Sequence, residues 1–199
     1  VIIKQLFGGL CYNFANPAIV GRIAMALGFT GAMTSYTYPE NGIDALASAT
    51  PLAVEETAQN AGSYVTLLLG NHGGVLGETC AITLLIGGIY LIWTKVISPT
   101  IPVTYLATVA VFSLLCGYDP IYQLLSGGLI LGAFFMATDY VTSPTTEKGK
   151  LVFGIGLGVI TCLIRFFGTM NEGVSFAILL MNLLVPYIEV LTRQDLLGI

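Results

Sequence analysis

Residues 151–168 read LVFGIGLGVITCLIRFFG, an apolar run whose single charged residue is Arg165. A run of about 17–25 apolar residues is long enough to cross a bilayer as a helix. The run therefore predicts a membrane-spanning helix. Gly154 and Gly158 lie four positions apart, which predicts a face that packs closely on another helix. Because no strand precedes these glycines and no acidic residue follows at the required distance, they do not form a dinucleotide-binding fingerprint.

The composition extends this reading to the whole chain. Hydrophobic residues make up 55% of the sequence, charged residues only 9%, and the mean hydropathy is +0.86. Soluble domains carry roughly a quarter charged residues, so this chain has too few to cover a water-facing surface. A net charge of -4 argues against nucleic acid as a partner. The chain is predicted to be an all-α integral membrane protein in a lipid bilayer.

Further apolar runs predict several crossings within a single transmembrane domain, residues 1–199. A shorter run at 64–70 is too short to cross, so it predicts a half-helix that enters the membrane and returns. The fold class is therefore a multi-span helical bundle with broken or re-entrant helices. The predicted spans lie near 16–34, 79–97, 101–117, 121–138, 151–168 and 173–191.

Lysine and arginine positions orient these spans. If the first span runs outward, five basic residues fall on the cytoplasmic side. This orientation is favoured because Lys and Arg are concentrated in cytoplasmic loops. The loop at 35–62 is then extracytoplasmic and the carboxyl terminus is inside. The inner residues are Lys4, Lys95, Lys148, Lys150 and Arg193, and the outer acidic ones are Glu40, Asp44, Glu55, Glu56, Glu78, Asp119 and Glu172.

A short similarity between two stretches of the sequence suggests inverted structural repeats. Residues 5–10 (QLFGGL) recur as 123–129 (QLLSGGL), and each copy leads to a polar break that contains proline. An odd number of predicted crossings separates the copies, as in membrane proteins whose central site lies between two inverted halves. Because only the second copy has spans before it, the symmetry predicts roughly a hundred residues ahead of Val1.

Two arginines lie within predicted spans. A charged side chain facing lipid at mid-depth costs at least about 2.5–3.5 kcal/mol, so both should reach the surface or face protein. Arg165 is expected near the outer end of its span, within reach of Glu172. Arg22 is expected near the inner surface, little more than a turn beyond Pro17. Structural anchoring and binding of an anionic ligand are both open for these residues.

The sequence offers no constellation for acid–base, nucleophilic or metal chemistry. The cysteines are scattered without a CxxC pair, and His72 is the only histidine, so neither a zinc site nor an iron–sulfur ligand set can be assembled. No phosphate-binding GxxxxGK[ST] loop occurs. Buried free thiols are expected at Cys11, Cys80, Cys116 and Cys162.

Two polar stretches remain. In the first, residues 44–50 (DALASAT), Thr50 precedes a proline and should lie on a turn, where another enzyme can reach its hydroxyl. An ordinary surface turn is the alternative. In the second, residues 77–81 (GETCA), Glu78 or Thr79 is expected to cap the following helix, or else to pack against a cofactor held by the Thr50 loop.

Three stretches resemble a known family: 4–10 with Asn13 and Asn16, then 77–81, and finally 126–146. The chain resembles the D subunit of the Rnf electron-transport complex and, more distantly, the B subunit of the sodium-pumping NADH:quinone reductase. The resemblance implies a subunit of an ion-translocating ferredoxin:NAD oxidoreductase in a prokaryotic cytoplasmic membrane. It implies the other subunits of that complex as partners, and a flavin transferase.

The family carries FMN joined through its phosphate to a threonine, which the resemblance places on Thr50. Asp44, Ser48 and Ala49 match the attachment pattern, whereas Ala47 stands where the family usually has a hydroxyl residue. The family also implies a second flavin, non-covalent riboflavin. For it we predict two groups of residues at the breaks: Asn13 and Asn16, and Thr138, Asp139 and Thr142.

Two other functions remain open from the sequence. Inverted repeats and broken helices also suit a channel or transporter without a redox cofactor. A scaffold subunit that has lost its flavin is the third possibility. No intramembrane carboxylate identifies the transported ion; the candidates near spans are Glu78, Asp119, Asp139 and Glu189.

Overall fold

The computed structural model describes residues 15–33, 61–70, 77–78, 80–168 and 173–193. The described chain is helical and contains no strand, which confirms the all-helical prediction. The helices are α1 (Pro17–Gly28), α2 (Thr30–Met33), α3 (Ala61–Leu69), α4 (Ala81–Trp93), α5 (Thr100–Cys116), α6 (Pro120–Leu125), α7 (Leu129–Leu131, continued by a π-helical turn at Gly132–Met136), α8 (Glu147–Phe167) and α9 (Val174–Arg193). The first of the two similar stretches, residues 5–10, lies outside the described residues.

Helix starts follow from local sequence. α1 and α6 each begin with a polar cap followed by proline: Asn16 Oδ1 accepts from Ala18 N at 3.0 Å, and Asp119 Oδ1 accepts from Ile121 N at 3.0 Å. Proline suits the first helical position because the amide hydrogen that it lacks has no partner there. α8 begins at a Thr146 cap with Glu147 in its first turn, where the helix dipole favours a negative charge.

Two described helices, Glu147–Phe167 and Val174–Thr192, are long and apolar enough to cross a membrane. α1, α4 and α5 are shorter apolar helices. α4 exposes Ile86, Tyr90 and Trp93 on one stripe, and Trp93 is 81% exposed. Such an apolar exterior suits a lipid environment rather than water.

The tightest packing joins α5 to α8. A Cβ added to Gly154 would lie 1.9 Å from Thr104 Oγ1, and one added to Gly158 would lie 2.5 Å from Thr108 Cβ. The prediction of a close packing face at these glycines is therefore confirmed. Below the glycines, the buried Tyr105 hydroxyl shares a 2.6 Å hydrogen bond with Thr161 Oγ1.

The predicted span at 121–138 is not one continuous helix. α6 ends at Leu125, Ser126 is extended, and Gly127 adopts a φ of 66°, a left-handed conformation that glycine adopts without strain. The chain then resumes as α7 and its π-helical turn, in which Ala137 N donates to Gly132 O at 2.8 Å. π-helical turns inside helices are frequent at functional sites.

The short run at 64–70 forms helix α3, and its nine residues are too few to cross a membrane. The Tyr64 hydroxyl donates to Asp119 Oδ2, which ties α3 to the start of α6. Cys80, Cys116 and Cys162 are free thiols as predicted, but Cys80 is only half-buried; Cys11 lies outside the described residues. Cys116 is exposed rather than buried because it lies at the end of α5, whereas Cys162 is buried in the α8 interface.

Candidate functional site

The predicted FMN attachment residues, Asp44, Ser48, Ala49 and Thr50, lie outside the described residues. Asn13 and Thr79 also lie outside them. The cofactor roles of these six positions stay predictions. The described residues do include Asn16, Glu78, Thr138, Asp139 and Thr142, and their surroundings form two polar centres inside the helical bundle.

The first centre contains the two proline-containing breaks. At one break Asn16 caps α1. At the other, between the π-helical turn and α8, the backbone turns on Asp139: Ser143 N donates to its carbonyl at 3.0 Å and Thr142 Oγ1 donates to its Oδ2 at 3.0 Å. Thr138 Oγ1 donates to Phe134 O at 2.6 Å, which closes the preceding helical turn.

Asn182, on α9, joins these two breaks. With its amide oriented by the hydrogen-bond network, Asn182 Nδ2 donates to Thr142 O at 3.1 Å and to Ile178 O at 3.3 Å, and Asn182 Oδ1 accepts from Asn16 N at 3.2 Å. The side chain is only 3% exposed. A buried amide that satisfies backbone groups of both breaks fixes their separation. We call this arrangement the amide junction.

Asn182 was not among the residues singled out from the sequence. Its partners are backbone atoms of Asn16 and Thr142, so no pattern of side chains in the sequence indicates the contact. The available signal was a polar amide in the apolar run 173–191, since polar residues inside a membrane helix usually serve a specific partner. The structure brings Asn16 N and Thr142 O to the same Asn182 side chain.

The second centre is ionic and lies at the break between α6 and α7. The Arg22 guanidinium donates to Glu78 Oε1, and the Glu78 side chain is 5% exposed. The Glu78 carboxylate packs against Gly128, where an added Cβ would lie 2.9 Å from Glu78 Cδ. Gly128 precedes α7, so the carboxylate lies at the helix end that favours negative charge.

This ion pair joins two residues that the sequence placed at opposite surfaces of the membrane, Arg22 at the inner one and Glu78 at the outer one, so the two predicted positions do not both hold. Asn16 lies beside Asn182, which is about 12 Å along α9 from Val174 at a rise of ~1.5 Å per residue. α1 therefore begins well within the length of α9 rather than at its end.

Arg165 lies on the other side of the same break. Its Nη1 donates to Gln123 O at 2.8 Å and to Gln123 Oε1 at 3.2 Å, and its Nη2 donates to Ser126 O at 3.1 Å. These oxygens belong to the end of α6, where carbonyls lose their partners in the helix. The suggested partner, Glu172, lies outside the described residues. Arg22, Gly128, Arg165 and Ser175 line one small pocket between the two arginines.

A larger cavity of about 240 Å³ adjoins the second break. Its lining includes the polar residues Ser98, Thr138, Tyr140, Ser143 and Lys150. The Lys150 ammonium group donates to Glu147 Oε1 at 2.7 Å. The described residues hold no group of three or more His, Cys, Asp or Glu side chains suited to a metal ion. The two centres can hold and orient polar groups.

Comparison with known proteins finds a matching family model and several similar proteins. The model of the NQR2, RnfD, RnfE family matches residues 1–198. The chain is 46% identical to the D subunit of the Na(+)-translocating ferredoxin:NAD(+) oxidoreductase complex of Acetobacterium woodii, over 100% of this chain and 63% of that protein.

Two further relatives extend the comparison. Identity is 40% to the D subunit of the proton-translocating ferredoxin:NAD(+) oxidoreductase complex of Clostridium ljungdahlii, over 99% of this chain and 65% of that protein. It is 36% to the D subunit of the ion-translocating oxidoreductase complex of Citrobacter koseri, over 100% of this chain and 69% of that protein. The chain thus spans somewhat less than two thirds of the first two relatives.

Proposed function

The chain belongs to the NQR2, RnfD, RnfE family, and we propose that it is a membrane subunit of an ion-translocating ferredoxin:NAD oxidoreductase that relays electrons through FMN esterified to Thr50. The observation that carries the proposal is the similarity to relatives named as the D subunits of such complexes, which extends over the whole chain. The ferredoxin and NAD reactions belong to other subunits of the complex.

The attachment proposal rests on residues 44–50, DALASAT, and on the resemblance of the sequence to this family. FMN bound there supplies one- and two-electron chemistry, while the protein supplies binding and orientation. A phosphoester to Thr50 keeps the cofactor from diffusing away outside the cell. This division of roles agrees with a chain that carries no acid–base or nucleophilic constellation in its sequence. The loop at 35–62 is proposed to lie on the extracytoplasmic side of the inner membrane, and a flavin transferase is proposed to load it.

For the second, non-covalent flavin we propose the cavity beside the second break. Thr138 and Ser143 are polar residues of its lining, and Ile97 and Ile101 are apolar ones. A flat heteroaromatic ring with a polar edge needs that combination, as cofactor pockets generally do. The amide junction fixes the segment that carries Thr138, Asp139 and Thr142, so these residues and Asn16 are proposed to orient riboflavin.

The test is in-gel fluorescence of the denatured full-length protein, made in cells that contain the flavin transferase. Covalent flavin survives denaturation, so the wild-type band should fluoresce under ultraviolet light. Thr50→Val removes the acceptor hydroxyl and should abolish the signal, whereas Thr79→Val should keep it. A dark wild-type band would overturn the attachment proposal. A signal lost in the Thr79 variant and kept in the Thr50 variant would move the acceptor to Thr79.

A channel or transporter without a redox cofactor is the second candidate function. The observation that favours it is the broken helix α6–α7, since broken helices with binding groups at their ends are typical of transporters. A channel has no use for a flavin acceptor. The dark wild-type band that overturns the FMN proposal would therefore favour this candidate.

A further inference from the structure

The break between α6 and α7 gathers oxygen atoms in a buried place. Gln123 contributes its backbone carbonyl and Oε1, and Ser126 contributes its carbonyl and carries the hydroxyl Oγ on the same residue. Gln123 is 2% exposed and Ser126 is fully buried. Within the part of the chain that the structure describes, Ser126 Oγ has no hydrogen-bond partner. A buried hydroxyl without a partner is costly and calls for an explanation.

Oxygens in such a position have a known preference in membrane proteins. Unwound backbone carbonyls and the carboxyl ends of half-helices coordinate Na⁺ in transporters. Oxygen ligands also suit hard cations in general. Here three of the four oxygens accept hydrogen bonds from the Arg165 guanidinium, at 2.8, 3.2 and 3.1 Å. The positive charge that the carbonyls attract is thus supplied by a side chain of α8.

Both ends of the break are compensated electrostatically. Arg165 lies at the end of α6, where the carbonyls carry partial negative charge. The Glu78 carboxylate lies at the start of α7, where the amides carry partial positive charge, and it accepts a hydrogen bond from Arg22. The arrangement matches the charges of an ion site in a broken helix, with a guanidinium in the position of the ion.

We propose that the α6–α7 break is a monovalent cation site that Arg165 fills as a tethered cation. A free Na⁺ ion enters it only when this guanidinium is withdrawn. The site is therefore closed to mobile ions in the conformation described here. The proposal does not depend on flavin at Thr50 or at the amide junction, and an ordinary helix cap by Arg165 is the competing explanation.

The experiment follows thermal unfolding of the full-length protein in detergent, with NaCl compared with choline chloride at equal ionic strength. Arg165→Met keeps the length of the side chain and removes the charge and every donor. This variant should melt at a lower temperature in choline chloride and gain a saturable, Na⁺-specific rise in melting temperature. The wild type should show no such rise. Lys150→Met is the matched control, and its melting temperature should not respond to Na⁺.

A second variant tests whether the oxygens of the break are the ligands. Ser126→Ala added to Arg165→Met removes one oxygen and should raise the half-saturating Na⁺ concentration several-fold. If Arg165→Met folds in NaCl but not in choline chloride, the proposal is supported. If it melts identically in both salts, folds in neither, or responds no differently from Lys150→Met, the tethered-cation proposal is wrong and Arg165 is a helix cap.

Discussion

The α5–α8 pair and the broken segments around it use polar residues in opposite ways. Along α5, Thr104 and Thr108 return their hydroxyls to carbonyls of their own helix, at 2.6 and 2.7 Å. Their remaining surface packs against Gly154 and Gly158. At the broken segments, backbone atoms instead bond to side chains of other helices, Arg165 on α8 and Asn182 on α9. Backbone groups inside an unbroken helix bond within that helix, whereas those at a break need partners from other segments.

The two breaks also differ from each other. The amide junction is neutral and exchanges hydrogen bonds with backbone groups through Asn182. The α6–α7 break is ionic, with Glu78 at one end and Arg165 at the other. Polar groups buried in a low dielectric medium interact strongly when they are paired and cost free energy when they are left unpaired. Both effects are larger for charged groups than for amides. Three substitutions should therefore rank as ion pair, amide junction, helix packing.

Arg22→Met should give the largest effect. It leaves the Glu78 carboxylate, 5% exposed, without this partner. Breaking a buried pair by removing one member costs about 3–5 kcal/mol, because the buried charge that remains loses that partner. The free energy of unfolding, measured by SDS titration of the purified protein, should fall by that amount relative to wild type.

Two variants check the cause of this loss. Arg22→Met combined with Glu78→Gln also removes the buried negative charge and should recover most of the stability. Lys150→Met breaks the pair with Glu147, whose side chain is 68% exposed, and should cost at most about 1 kcal/mol. Equal losses in Arg22→Met and Lys150→Met would mean that the buried pair is no different from a surface one.

The sequence predicted the features that depend on neighbouring residues. The Asn16-Pro17 and Asp119-Pro120 caps are local, and the Gly154 and Gly158 face follows from helical spacing. The pairing of Arg22 with Glu78 was not predicted, because the sequence placed the two residues at opposite membrane surfaces. α1 begins beside Asn182. Depth in the bundle is a tertiary property, and hydropathy along the chain does not encode it.

The hydrogen-bond partners of the buried charged residues were also not predicted from the sequence. Glu78 was selected from its place in a glycine-rich turn, but its pairing with Arg22 joins positions 56 residues apart. The Arg165 hydrogen bonds to Gln123 and Ser126 required the helix at 121–138 to break, and the sequence predicted a continuous span there. The glycines at 127 and 128 were the local signal for that break, since glycine adopts the left-handed backbone of Gly127 without strain.

Asn182→Leu should give the intermediate effect. It removes the acceptor of Asn16 N–H and the donor to Thr142 O while keeping a similar volume. Each buried backbone group left unsatisfied costs about 1–3 kcal/mol, and the two groups share one side chain, so the costs need not add. SDS titration should show the loss. Riboflavin retained by the native protein should fall with it if the junction orients the second flavin.

The matched control for the junction is Ser113→Ala. Ser113 is also fully buried, but its hydroxyl donates only to Val109 O within α5, at 2.8 Å. Losing that bond leaves no segment unsupported, so stability should change by about 1 kcal/mol or less. An Asn182→Leu protein as stable as Ser113→Ala would show that the two breaks hold their separation without the amide.

Gly154→Ala should give the smallest loss, and Gly156→Ala makes the comparison clean. A Cβ at Gly154 would lie 1.9 Å from Thr104 Oγ1 and 3.2 Å from the Ile101 carbonyl oxygen, so α5 must move. At Gly156 the nearest atom is the terminal Met181 Cε, 2.6 Å away, which a flexible side chain can withdraw. Both variants gain up to about 1 kcal/mol of helix propensity.

The difference between the two variants therefore isolates the steric term, about 1–3 kcal/mol for overpacking. SDS titration should place Gly154→Ala below wild type and Gly156→Ala at or above it. Thr104→Ala added to Gly154→Ala removes the closest atom and should restore part of the loss, because the Thr104 hydroxyl bonds only within its own helix. If the two variants have the same free energy of unfolding, the α5–α8 interface accommodates the added methyl group as easily as the Met181 side chain does. Close packing at Gly154 would then not contribute to the stability of the pair.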